Sequence, residues 1–147
     1  MKRIFLALTT LFLGVAVMAQ TKPDDVMKVN TEKYDFGKIK QGVPVATFFE
    51  IKNISDKALV VENTWGSCGC TTPEKIEKPI PPGETAKLKV NYNAAAMGHF
   101  EKDVSIKFAG VDQPKVVKIT GETLDAAAYD EYQKTQQADK TKTKSKG

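Results

Sequence analysis

Between about Val26 and Thr123 the chain alternates apolar and polar residues with a period of two. Ala86, Leu88, Val90 and Tyr92 interleave with Lys87, Lys89 and Asn91. Val104, Ile106 and Phe108 interleave with Asp103, Ser105 and Lys107, and Val117 and Ile119 with Lys118 and Thr120. Successive side chains of a strand point to opposite faces, so this pattern predicts strands with one face on a core and one in water. Weaker runs of the same kind lie at Met27–Asn30, Val45–Ile54 and Ala58–Glu62. Turn chemistry separates them at Phe36-Gly37, Asn53-Ile54-Ser55-Asp56, Pro81-Pro82-Gly83 and Ala109-Gly110. Nothing in this region has a helical period. Six or seven short strands in about 100 residues predict an antiparallel β-sandwich, with a closed barrel as the competing arrangement. The expected core includes Phe48, Phe49, Ile51, Leu59, Leu88 and Phe108.

The two ends of the chain follow other rules. Residues 1–19 carry Lys2 and Arg3, an apolar stretch from Ile4 to Val17, and small residues at Val17 and Ala19. That is the layout of a signal peptide cleaved between Ala19 and Gln20, and the stretch is shorter than the roughly 20 residues a membrane span needs. Export places the mature protein in the periplasm or outside the cell, where disulfides persist. Asp125 to Gln137 predicts a short helix with Tyr129 and Tyr132 on one side. The Lys-rich end beyond it has no apolar residue larger than alanine, so residues 124–147 are expected to pass from short helix to disorder.

Charge narrows the choice of partner. The chain holds 22 basic and 18 acidic residues, and loss of Lys2 and Arg3 lowers the basic count to 20. Arg3 is the only arginine. Proteins that read phosphates or base edges depend on arginine's planar fork, so nucleic acid is not the expected partner. One histidine and two cysteines exclude sites built from several histidines. There is no phosphate-binding glycine loop, carboxylate dyad or nucleophile–histidine pairing. A non-enzymatic module binding a protein or another cell-envelope component is therefore the leading expectation.

The segment richest in chemistry is Asn63-Thr64-Trp65-Gly66-Ser67-Cys68-Gly69-Cys70-Thr71-Thr72-Pro73. The spacing of Cys68 and Cys70 forbids the usual disulfide between the two sheets of an immunoglobulin domain. Three states remain open: a strained disulfide across Gly69, two reduced cysteines in a packed turn, or a chelate for a soft ion. A ring this small removes little chain entropy, so a purely structural staple is a poor explanation. If the loop holding Met97 and His99 meets the cysteines, Cys68, Cys70, Met97 and His99 would suit copper, or less readily zinc. Otherwise no cofactor is expected. Gly69 is expected to take a positive φ to fold the turn, and Trp65 to pack at the core or its rim.

The landmarks around this segment carry a resemblance. They are Asn53-Ile54-Ser55-Asp56, Leu59, Ser67-Cys68-Gly69-Cys70-Thr71, Pro73, Ile80-Pro81-Pro82-Gly83-Glu84 and Gly98-His99-Phe100-Glu101-Lys102. In this order they resemble the domain-of-unknown-function family fifteen-seventy-three, common in exported proteins of the Bacteroidetes. That family is similar to the immunoglobulin-like ASH and Hydin domains and to major sperm protein. The resemblance covers roughly residues 29–122 and implies an immunoglobulin-like antiparallel β-sandwich of about seven strands, and export, since the family has no settled activity.

Overall fold

A computed structural model describes residues 20–144. The expected leader at 1–19 lies outside the described residues, as do residues 145–147. The elements are α1 (Pro23–Val26), β1 (Met27–Val29), β2 (Lys33–Lys40), β3 (Val45–Asn53), β4 (Val61–Gly66), β5 (Thr71–Pro73), β6 (Thr85–Tyr92), β7 (Gly98–Phe108), β8 (Lys115–Leu124) and α2 (Ala126–Lys144). They form two four-stranded sheets of order β1-β3-β6-β5 and β2-β8-β7-β4. The chain is an immunoglobulin-like β-sandwich.

Its core sits between the sheets and follows the period-two pattern. Phe49 and Ile51 of β3, Leu88 and Val90 of β6, Val104, Ile106 and Phe108 of β7, and Val117 and Ile119 of β8 are all fully buried. Phe48 corrects the expected core: it is 52% exposed. Neighbouring residues of a strand face opposite ways, so only one of Phe48 and Phe49 can point inward.

Two elements depart from the pattern. The expected turn at Phe36-Gly37 is a bulge inside β2, where the pairing with β8 slips between Asp35 and Lys38 and Gly37 takes a φ of 65°. The extra residue resets the alternation, so Phe36 and Ile39 both turn toward the core. This strand also runs parallel to β8, whereas the other pairings are antiparallel. The strand expected at Ala58–Glu62 is displaced toward the cysteines. Leu59 makes only an isolated bridge with Ile80, and the ladder of β4 with β7 starts at Val61.

The turn after β3 is organised by Asn53, which is fully buried. Its side-chain amide donates to the carbonyls of Lys57 and Ile80, each at 2.7 Å, and its Oδ1 accepts the Ser55 N–H at 2.9 Å. At the other end, Asp125 caps α2 by accepting the Ala128 N–H at 2.8 Å. The helix runs from Ala126 to Lys144. Residues 138–144 contain neither glycine nor proline. Tyr132 lies under the Lys38 ammonium at 5.0 Å, and Asp130 pairs with Lys40 at 3.3 Å, which docks the helix on β2. Among the described residues no helix is long and apolar enough to cross a membrane.

Candidate functional site

Cys68 and Cys70 lie where the chain leaves β4 in one sheet and enters β5 in the other. They are joined by a disulfide, with Cα atoms 5.2 Å apart. A tight turn brings them together, closed by the Thr71 N–H donating to the Cys68 carbonyl at 3.2 Å. Both flanks are tied to the sandwich. The Ser67 N–H donates to the Asp103 carbonyl at 2.9 Å, and the Asp103 N–H donates to Ser67 Oγ at 3.1 Å. On the far side the Asn93 N–H donates to the Cys70 carbonyl at 3.0 Å. The disulfide is therefore held between β7 and the loop that follows β6.

The glycine on which this turn depends is not the expected one. Gly69 is not among the positive-φ glycines, and a Cβ built there would meet nothing within 4 Å. A Cβ on Gly66 would lie 2.2 Å from the Thr71 carbonyl oxygen. The chain folds back on itself across Gly66, and only a residue without a side chain fits between the arms.

Cys70 faces a recess of about 140 Å³ at the end of the sandwich. Tyr92 and Phe100 line it, their rings stacked with centroids 4.1 Å apart, and Met97, His99 and Lys102 complete much of the wall. Met97 is 61% exposed. His99 also borders a second recess with Asp35, Lys38 and Glu122, because its position in β7 is opposite Glu122. The structure thus brings Cys70, Met97 and His99 around one recess, but both sulfurs are already bonded to each other. Among the described residues no three His, Cys, Asp or Glu side chains gather to hold a metal.

Thr71 beside the disulfide and Lys102 on the recess that Cys70 borders were not singled out from sequence. Thr71, itself buried, places Oγ1 3.7 Å from Cys68 Sγ and 3.9 Å from Cys70 Sγ. Disulfide sulfurs carry no hydrogen, so the hydroxyl is the donor in any such contact. Lys102 shares the inward phase of β7 with Phe100, Val104, Ile106 and Phe108, and it is partly buried. Among the described residues it forms no ion pair. A lysine in the apolar phase of a strand is visible in sequence, and that was the missed signal. Trp65, expected at the core or rim, stands 41% exposed on the outer face of its sheet, opposite Ser105.

A second unusual surface lies on β3. Its pairing with β1 stops at Val29 opposite Ile51, followed by one reciprocal contact in which the Asn30 N–H donates to the Glu50 carbonyl and the Glu50 N–H donates to Asn30 Oδ1. Beyond that point β3 has only β6 as a partner. Backbone groups of an antiparallel strand alternate in direction, so the N–H and C=O of Ala46 and Phe48 face the open edge. From Val43 to Phe49 there is no charged residue.

A sandwich of this topology, with its short-range disulfide at the sheet crossover, defines an exposed-edge immunoglobulin-like domain. The chain belongs to the family described as Protein of unknown function (DUF1573), which matches residues 27–123. No curated protein matches it. Among solved structures it is similar to a protein of unknown function from Porphyromonas gingivalis W83, with 20% identity and a TM-score of 0.58 over 76% of this chain and 51% of that one. It is also similar to the ASH/PapD-like domain 7 of human CEP192, with 12% identity and a TM-score of 0.51 over 84% of this chain and 99% of that one. The Vibrio cholerae VesB protease shares the fold at 15% identity and a TM-score of 0.54, over 69% of this chain and 33% of that one. The chain thus spans about half of the Porphyromonas structure and a third of the Vibrio one. At these identities the likeness concerns the fold alone.

Proposed function

We propose that this chain is an exported, non-enzymatic binding module of the bacterial cell envelope, periplasmic or secreted, which takes an extended segment of a partner protein on the open edge of β3. The observation that carries this reading is the unpaired edge at Ala46 and Phe48, beside an aromatic ring that is 52% exposed. Sheet edges are ordinarily shielded by charge, proline or a covering element, because an open edge recruits any strand that can pair with it. Here β1 covers only the far half of β3. An added strand would gain main-chain hydrogen bonds from Ala46 and Phe48 and apolar contact with Phe48 and Val43, which is the usual logic of strand addition.

The test is crosslinking of the immobilised mature protein in periplasmic extract, with Ala46→Pro and Phe48→Asp as controls. Proline is tolerated where the N–H faces an open edge, so Ala46→Pro removes one donor and leaves the sandwich folded. A partner retained by the wild type and lost by both variants supports the reading. Equal retention by all three overturns it.

A second reading is a thiol- or copper-handling protein working through Cys68 and Cys70. Its support is separate: the disulfide sits at a recess that also holds Met97 and His99. Copper titration of the reduced protein followed by mass spectrometry checks the metal branch. One bound ion, lost on replacement of both cysteines by serine, is the expected result for that branch, and no retained ion removes it.

A further inference from the structure

The surroundings of the two sulfurs are unequal. Cys70 packs against the core cluster and borders the recess shared with Lys102, Tyr92 and Phe100, whereas Cys68 does not line that recess. The Thr71 hydroxyl lies near both. Thiolates are favoured beside a cation and a hydrogen-bond donor, and a thiol that is stable as a thiolate is the better leaving group in exchange. The ring closed by the disulfide spans only Gly69, so its closure removes little entropy from the unfolded chain and adds little to stability. Lys102 stands in the apolar phase of β7, partly buried, and among the described residues it forms no ion pair.

From this asymmetry we propose that the Cys68–Cys70 disulfide is a thiol–disulfide exchange site for a protein dithiol, with Cys68 the sulfur attacked and Cys70 the leaving thiolate, stabilised by Lys102 across the shared recess. This rests on the thiol-handling reading and is independent of the β3 edge. One thiolate of the partner attacks Cys68 Sγ, the Cys68–Cys70 bond breaks, and its electron pair leaves on Cys70 Sγ. A mixed disulfide now joins the partner to Cys68. The partner's second thiolate attacks its own sulfur in that bond, and Cys68 leaves as a thiolate. The partner dithiol has been oxidised to a disulfide, the Cys68–Cys70 disulfide has been reduced to two thiols, and two protons have moved from the partner to these cysteines. The recess walled by Tyr92, Phe100 and Met97 would accept an apolar side chain next to the partner's attacking cysteine.

The experiment reads thiolate formation directly. In Cys68→Ala the remaining Cys70 is alkylated with iodoacetamide across a pH series, and in Cys70→Ala the same is done for Cys68. Cys70 is expected to titrate at least about one unit below the roughly 8.5 of a free thiol, and Cys68 near that value. Lys102→Met should move the Cys70 midpoint up by about a unit, and Lys102→Arg should leave it low, which separates charge from packing. A Cys70 midpoint at or above 8.5, or one unchanged in Lys102→Met, overturns the assigned roles. Reaction of the oxidised wild type with dithiothreitol distinguishes this from failure of the broader reading. Reduction at least about tenfold faster than that of oxidised glutathione is expected for a labile disulfide. A disulfide that resists dithiothreitol overturns thiol handling itself, whatever the midpoints.

Discussion

Gly66 and Gly69 differ by three positions and should differ sharply in tolerance. A methyl group on Gly66 would strike the Thr71 carbonyl at 2.2 Å, whereas one on Gly69 would point into open space. Gly66→Ala is therefore expected to lower stability by roughly 2–4 kcal/mol in chemical denaturation, in the range of enforced overpacking or backbone rearrangement. Gly69→Ala should change it by less than about 1 kcal/mol. The reverse order would mean that the turn is folded differently. The cysteine spacing marked this segment from sequence alone, but it could not say which glycine the turn needs. That depends on how closely β5 returns past β4, which is a tertiary distance. Lys102 is the opposite case: its place in the phase of Phe100, Val104 and Ile106 was readable, and only its neighbour across the recess was not.

At the scale of the strand, the alternation identified the elements that keep one face on the core along most of their length. Strands β3, β6, β7 and β8 each bury every second residue along most of their length. Leu88 is fully buried in β6 and Lys89 beside it pairs with Glu74 at 2.8 Å on the outer face. Leu88→Ala should accordingly cost roughly 2–5 kcal/mol in denaturant titration and Lys89→Ala less than about 1 kcal/mol, since exposed ion pairs contribute little. Similar losses at both positions would show that the face is misassigned. The edge strands were harder to read. A bulge at Gly37 breaks the alternation of β2, and β5 is only three residues long, so neither presents a full period. Phe48 belongs here as well. Its phase opposes that of Phe49, and the exposed ring and open edge came into view only once β1 was seen to stop short. An edge is defined by the strand that is missing beside it, and no single segment encodes that.

For the whole molecule, the outer face of the β2-β8-β7-β4 sheet is held by charges from three strands. Lys33 of β2 and Lys118 of β8 flank Glu101 of β7 at 3.0 and 2.9 Å, and Lys118 also reaches Asp103 at 2.9 Å. Hydrogen bonds from Lys118 and then Lys33 hold the Glu101 carboxyl at a pKa of about 2, against an ordinary 4.5. The lowered value fixes the sign of the pH dependence. A carboxylate whose folded pKa lies below its unfolded one favours folding above the unfolded value, and that contribution fades as the pH falls through the folded value. The network should therefore support the fold fully above about pH 4.5 and lose its effect on acidification toward about pH 2. The group is exposed, so added salt should weaken the effect. The check is melting temperature against pH for the wild type and Glu101→Gln. The variant should melt lower than the wild type at neutral pH, and the gap should close between about pH 4.5 and 2 and narrow in high salt. A gap that persists unchanged below pH 2 would assign the effect of Glu101 to packing and not to its charge.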